Sequence, residues 1–387
     1  MIRWMTAGES HGKGLVGIID GMPAGLELEA DYIDHQLMRR QQGYGRGGRM
    51  KIETDRAEII SGVRFGKTIG SPIALVVWNK DWENWTDKMK VEPLTAEEEA
   101  AIKKITLPRP GHADLAGVQK FGFDDIRPVI ERSSARETAM RVALGTVARR
   151  LLEAVGIRIA SHVVQIGSVR LPSGVHADVQ TWDLATITAR NDASDVRCVD
   201  TGTSAAMVEE IKSAQKQGDS LGGIFEVLVD GVPPGLGSYT QWDQKLDGIL
   251  AQHIASIQAV KGVEIGDAFD NAARKGSEVH DEIFYDDTRG YVRKTNRSGG
   301  LEGGMTTGER IVIRGAMKPI PTLARPLMSV DIQTHEAASA HKERTDTCSV
   351  PAAAIVAEAM TALALVNPFL EKFGGDSVEE IAQRIGK

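Results

Sequence analysis

Two histidines occupy loops where an imidazole can do chemistry: His11 in Gly8-Glu-Ser-His-Gly12 and His112 in Pro110-Gly-His-Ala-Asp114. Small neighbours leave such a ring open to a ligand, and imidazole carries a proton near neutral pH. Taken singly, a loop histidine is more often an ordinary hydrogen-bonded residue. Concentrated positive charge is the second signal. Arg39, Arg40, Arg46, Arg49 and Lys51 share a segment with no acid. Guanidinium groups grip phosphate or carboxylate bidentately, and the interleaved glycines let backbone amides reach the same anion. A solvated basic loop explains this segment equally well. An RGG-type RNA contact fits poorly, because the pattern occurs once and without low-complexity surroundings.

A third cluster runs from Arg109 to Asp114 and resumes at Arg127-Pro-Val-Ile-Glu131-Arg132-Ser133-Ser134-Ala-Arg136-Glu137. Arg132, Ser133 and Ser134 are read as the start of a long helix, where free amides and the macrodipole favour an anion. Plain capping, with arginine paired to Glu131 and Glu137, is compatible with this, since a cap uses one of the two hydroxyls. Asp346, in Arg344-Thr-Asp346, precedes an apolar helix beginning near Ala352, either as its cap or as a base beside a ligand. Other patterns fail. Gly43-Tyr-Gly-Arg-Gly-Gly48 matches G-x-G-x-x-G, but a helix precedes it and a strand comes after, the reverse of a dinucleotide fingerprint. His335-Glu336 with His341 is too long for H-E-x-x-H, so no metal is expected.

The elements that must position these loops are short β-branched runs and capped helices. Strands are expected at Leu15 to Ile19, Ala57 to Val63, Ile73 to Trp78, Ile157 to Val169, Ile224 to Val229, Arg310 to Ile313 and Met328 to Ile332. Thr95 with Glu98, Ser134 with Glu137 and Ser377 with Glu380 have capping-box spacing. Helices are expected from Ser134 to about Val155, from about Trp242 to Val260, and over Ala352 to Val366. The last contains Glu358 and reads as a buried helix, not a membrane span. Leu171 to Asp200 is turn-rich and polar, an excursion between halves. Irregular alternation without linkers implies an α+β fold, in one composite domain as readily as in two.

Composition narrows the function. The 387 residues are 42% apolar, enough for a large core, which excludes disordered and fibrous classes. A formal charge of −7 argues against coating nucleic acid or an anionic membrane, so an anionic partner needs a local patch. Two distant cysteines, Cys198 and Cys348, support neither a disulfide framework nor a zinc ribbon, and the N-terminus carries charges where a signal peptide is apolar. A reduced, cytoplasmic protein is expected.

Together the motifs resemble the chorismate synthase family. The resemblance rests on Gly8-Glu-Ser-His-Gly12, on Gly43 to Asp55 ending in Arg49-Met-Lys-Ile-Glu53-Thr-Asp55, and on Arg109-Pro-Gly-His-Ala-Asp114. Arg132-Ser-Ser-Ala-Arg-Glu-Thr-Ala139, Gly299 to Gly308 and Arg344-Thr-Asp346 complete it. It covers essentially the whole chain, with Leu171 to Asp200 least diagnostic. The family's members are carbon–oxygen lyases that convert 5-enolpyruvylshikimate 3-phosphate to chorismate by 1,4-elimination of phosphate and the C6 hydrogen. This is the last step of the shikimate pathway to aromatic amino acids, and it requires reduced FMN although it is redox-neutral. The resemblance implies one composite domain over residues 1–387, a β-α-β sandwich with helices between two antiparallel sheets, and a cytoplasmic homotetramer. It implies a small-molecule substrate, with neither nucleic acid nor membrane as partner.

By the same resemblance His11, His112 and Asp346 are catalytic. His11 would protonate the departing phosphate, His112 would stabilise the protonation state of the reduced flavin, and Asp346 would stand beside the flavin N5 that accepts the C6 proton. Ser10, Arg40, Arg46, Arg49, Arg109, Ser134, Arg136 and Arg344 would bind substrate. Arg40 and Arg46 would also meet NADPH phosphates in members that reduce their own FMN, the others depending on a separate flavin reductase. FMN would lie along Arg132, Ser133, Ser134, Gln258, Ala259, Gly303, Lys318, Pro319, Ile320, Pro321, Thr322 and Arg344. Pro321 stands where polar residues are common in the family, so this loop is expected to act through its backbone. Two rivals remain. A phospholigand- or RNA-binding protein leaves both loop histidines and Asp346 unexplained, and an ordinary flavin reductase would lack the elimination.

Overall fold

A computed structural model describes residues 1–46, 54–343 and 346–386; Arg49, Lys51 and Arg344 lie outside the described residues. The Gly14–Asp20 strand turns Leu15, Gly17 and Ile19 inward and Val16 and Ile18 outward, the alternation of a sheet packed on one face. It pairs antiparallel with Arg3–Ala7 and Ile73–Trp78, and Glu58–Ser61 completes a four-stranded sheet. A second antiparallel sheet runs in the order Val260–Ile265, Ile311–Met317, Gly223–Asp230, Arg158–Ile166, Val169–Arg170. Between the sheets lie the Ala30–Gln41, Thr138–Ala154 and Val350–Phe373 helices. The Thr138 helix packs on the first sheet, the Val350 helix on the second, and the two on each other. The fold is the α+β, β-α-β sandwich that the resemblance implied.

The Val350–Phe373 helix is long and apolar enough to cross a membrane by length and composition alone, but its residues from Val350 to Val366 are all buried inside the protein. Glu358, within that stretch, accepts from Arg39 at 2.8 Å, Arg149 at 2.5 Å and Ser161 at 2.7 Å. Burial opposes its ionisation, yet the two arginines hold its carboxyl well below the usual range. A buried charge is tolerated because it is paired and hydrogen-bonded.

The central helices approach closely at Gly145, where a Cβ would fall 2.5 Å from the Ala359 Cβ and 2.6 Å from its carbonyl oxygen. Gly145→Ala is expected to destabilise the protein by about 1–3 kcal/mol through overpacking. A urea midpoint equal to the parent's would mean that the helices separate freely.

Several expectations are corrected. The helix expected from Trp242 to Val260 ends at Ala255, and Val260 opens a strand. Ala259 at φ +67° turns the chain between them, so the break is a backbone event that apolar spacing does not report. Leu171 to Asp200 is no bare excursion: it holds helices Ser173–Val179 and Leu184–Asp192, with Val179, Ile187 and Val196 fully buried. Each helix inserts so few apolar residues that its polar outer face dominates the composition. The Thr95 capping box closes. That at Ser134 does not, because Glu137 turns to Thr6 and Arg141 instead. At Ser377 only the serine half forms, since Glu380 takes the Asp376 amide.

Candidate functional site

Loops from distant parts of the chain meet through hydrogen bonds and ion pairs. Asn79, just past the Ile73–Trp78 strand, donates Nδ2 to the Gly12 carbonyl at 2.7 Å and accepts from Arg136 Nε at 2.9 Å. The His11 loop is thereby fixed to the arginine cluster. Arg136 Nη1 lies 2.6 Å from Asp55 Oδ1, and Arg40 Nη1 lies 3.7 Å from the other Asp55 oxygen. Arg40 also donates to Thr138 Oγ1 and the Ala135 carbonyl, both at 3.0 Å. Arg46 Nε sits 3.1 Å from Asp346 Oδ2, which also accepts from Ser349 at 2.9 Å.

Arg40, Arg46 and Arg136 thus converge with Asp55 and Asp346, three cations to two anions among the described residues. Burial pushes the Arg40 pKa down to about 9. Asp55 opposes this, and the neighbouring Arg46 and Arg136 guanidiniums add to it. Guanidinium groups gathered in this way and withdrawn from water are suited to holding an anion.

Each histidine is tied to a buried carboxylate and is less open than its small neighbours suggest. His11 is 8% exposed, with Nδ1 2.9 Å from Glu131, and its ring stacks on Trp85 at 3.8 Å. His112 Nδ1 lies 2.5 Å from Asp114, whose carboxyl also takes Arg109 Nε at 2.8 Å. Burial raises the Asp114 pKa, but these hydrogen bonds outweigh it and hold the carboxyl well below its ordinary value.

Several of the expected flavin residues are hydrogen-bonded to the Arg109–His112 segment, to one another or to residues beside Ser134. Arg109 Nη1 donates to Thr322 at 2.9 Å, Lys318 Nζ to the Gly111 carbonyl at 2.6 Å, and the Lys318 amide to the Ala259 carbonyl at 2.9 Å. Gln258 Nε2 reaches Glu137 at 3.2 Å, beside Ser134. Arg132 binds the Gly8 and Thr6 carbonyls, both at 3.0 Å. Gly303 stands apart. Its turn is held at the Leu246 end of the Leu246–Ala255 helix, whereas Gln258 lies past the other end, about 15 Å away.

One correction concerns the anion argument at the helix start. Arg132 and Ser133 close a separate helix, Arg127–Ser133, and Ser133 Oγ donates back to the Val129 carbonyl. Only Ser134 acts as an N-cap, accepting the Arg136 amide at the head of a 3₁₀ turn, Ala135–Glu137. Arg132 is therefore a cation at a helix C-terminus, itself a favourable position.

Sequence reasoning passed over Asn79, Asp55 and Trp85 as site residues. It read Glu131 only as an arginine's partner. Asp55, lying at the end of the Gly43 to Asp55 motif, offered the one usable signal.

A second histidine group lies on the five-stranded sheet, where His162, His176 and Glu226 bring ligand atoms within 4.8 Å of one another. The Glu226 oxygens accept from His162 at 2.9 Å, His176 at 3.0 Å, Gln180 at 2.6 Å and Arg314 at 2.6 Å. Four donors, one a permanent cation, hold the Glu226 carboxylate in a buried, hydrogen-bonded ion pair. A cleft of about 740 Å³, lined by Leu115, Val118, Phe123, Val330 and Ile332, opens behind Arg109 and includes no other arginine.

A family model described as chorismate synthase matches residues 2–370. The chorismate synthase of Alkaliphilus metalliredigens is 56% identical over 381 residues, covering 98% of this chain and 97% of its own. That of Symbiobacterium thermophilum is 57% identical over 383 residues, covering 98% and 96%. A solved structure titled "Crystal Structure of Chorismate Synthase" superposes with a TM-score of 0.80 at 42% identity, covering 100% of this chain and 96% of that one.

Proposed function

The chain belongs to the chorismate synthase family, and on that premise we propose how its residues divide the work. The family's enzymes are lyases. They release phosphate from 5-enolpyruvylshikimate 3-phosphate to form chorismate, the last step of the shikimate pathway. The observation that carries the assignment is the largely buried cluster of Arg40, Arg46 and Arg136 with Asp346, to which the His11 loop is tied through Asn79. It suits a substrate bearing two carboxylates and a phosphate of about −1.5 to −2 charge.

In this reading Arg40, Arg46, Arg109 and Arg136 bind the substrate's anionic groups, with Arg49 and Arg344 assigned by motif. The Ser10 and Ser134 hydroxyls orient it. His11 delivers a proton to the departing phosphate oxygen. Asp346, steadied by Arg46 and Ser349, is the proton-holding group on the C6 side. Arg132, Ser133, Ser134, Gln258, Ala259 and the 318–322 loop would hold FMN, and the donor set fits: the Arg132 and Lys318 cations with serine and threonine hydroxyls suit a phosphate, and the Gln258 amide suits a polar ring edge. What reduced FMN supplies when bound is electron density toward the substrate as phosphate leaves. His112, fixed by Asp114, maintains the protonation state that this chemistry needs. Arg40 and Arg46 would also serve NADPH if this protein reduces its own flavin. Gly303 has no part in the reading within one chain.

We also read the chain as one composite domain, supported by a main core cluster that draws residues from Ile2 to Ile381, with a small second cluster of Ile105, Val118, Ile126, Val129 and Ile130. A homotetramer is supported by the outward apolar face of the four-stranded sheet, where Met5, Val16, Ile18, Ile60 and Trp78 are exposed.

Anaerobic assay with photoreduced FMN and the phosphorylated substrate tests the reading. Phosphate release without net flavin oxidation is expected. Its absence would return the protein to the binding or reductase class. Aerobic turnover with NADPH and oxidised FMN would show self-sufficient flavin reduction.

A further inference from the structure

Glu131 is the point where the His11 loop is anchored. Its side chain is fully buried. Oε1 lies 2.9 Å from His11 Nδ1, Oε2 accepts the His11 backbone amide at 2.7 Å, and the Glu131 carbonyl accepts the Ser10 amide at 3.0 Å. One residue therefore fixes both the backbone and the ring. Arg127 Nη1 meets Oε1 at 3.1 Å and bridges to Glu343 at 3.1 Å, and His341 meets Glu343 at 3.0 Å. Trp85 lies nearly parallel to the imidazole, at 21°, and Arg127 sits over the Trp85 ring at 5.2 Å. The ring is thus held in its plane by Glu131 and on one face by Trp85.

We propose that Glu131 is the positioning residue for His11: its carboxylate accepts the hydrogen bond from Nδ1–H, so that the proton the imidazolium gives to the departing phosphate leaves from Nε2 and the neutral Nδ1–H tautomer remains. The inference rests on the reading of His11 as proton donor. A carboxylate acceptor at one ring nitrogen sets what the other can do, because the two nitrogens of a neutral imidazole have opposite roles. Glu131 is suited to the task. Burial works against its ionisation, but the hydrogen bonds from His11 and the charge of Arg127 hold its carboxyl below the ordinary value. A carboxylate that served only to tie down the loop would act through the backbone amide, and its loss would cost the same whether or not an imidazole were present.

The test compares Glu131→Gln, His11→Ala and the double variant by phosphate release with photoreduced FMN. Glu131→Gln is expected to lower kcat about tenfold to a hundredfold, part of what a general acid contributes. KM and FMN affinity should stay within about threefold, the pattern of an interaction used in the transition state. In the His11→Ala background the same replacement is expected to cost less than about twofold, because residues acting as a unit are not additive. Equal cost in both backgrounds, or a parental kcat for Glu131→Gln, overturns the inference. Parental turnover by His11→Ala overturns the reading beneath it. Glu131→Asp keeps the charge beside Arg127 but withdraws it from Nδ1. It should lower kcat as well, and serves if the glutamine variant does not fold.

Discussion

His11→Ala is expected to reduce phosphate release about a thousandfold, within the range for loss of a positioned general acid, while FMN affinity stays near the parent's. The two quantities separate because Arg132, assigned to FMN, meets the 8–12 loop through the Gly8 backbone carbonyl, which the substitution leaves in place, while Gln258 and Lys318 of the 318–322 loop bind Glu137 and the Gly111 carbonyl. The variant should fold. The backbone amide of residue 11 still donates to Glu131, and Arg127 still pairs with that carboxylate, so no buried charge is left alone. Single-turnover phosphate release beside a flavin titration makes the measurement. Turnover within a few-fold of the parent would remove His11 from the chemistry, and an equal loss of flavin binding would make its role structural.

Asp346→Ala carries the other large effect, a fall in kcat of about a hundredfold or more. The KM for substrate is not expected to rise. Asp346 Oδ2 lies 3.1 Å from Arg46 Nε, and removing it leaves the cluster more positive toward an anionic ligand. A loss of binding with kcat unchanged would instead mean that Asp346 only orients Arg46. The split between kcat and KM decides the matter, since an interaction used only in the transition state leaves KM alone.

Both variants concern residues that local sequence makes visible. His11 and His112 are flanked by glycine and proline punctuation, and Arg40, Arg46 and Arg136 stand in runs with distinctive neighbours. Their partners were hidden. Glu131 lies 120 residues from His11, Asp55 lies 81 from Arg136, and Asn79 lies 57 from Arg136. A pairing between isolated polar residues at such separation leaves no periodicity to read, because periodicity reports only which face of one element is buried. The same limit explains the fold-level errors. Ala259 turns the chain by a left-handed backbone angle within an apolar run. The helices between Leu171 and Asp200 contribute buried residues one at a time.

By itself the sequence determined the elements with strong local patterns: the Gly14–Asp20 and Ile73–Trp78 strands, the long apolar helix around Glu358, and the motifs that mark the family. Each depends on contacts near in the chain or on residue types that few environments tolerate. Only the tertiary structure decided which carboxylate restrains which cation or imidazole. It alone showed that Arg132 and Ser133 end one helix while Ser134 begins the next turn, and that Gly303 stands a helix length from Gln258. These outcomes are set by how two sheets close over shared helices, and that closure brings groups together according to packing, without regard to their distance along the chain.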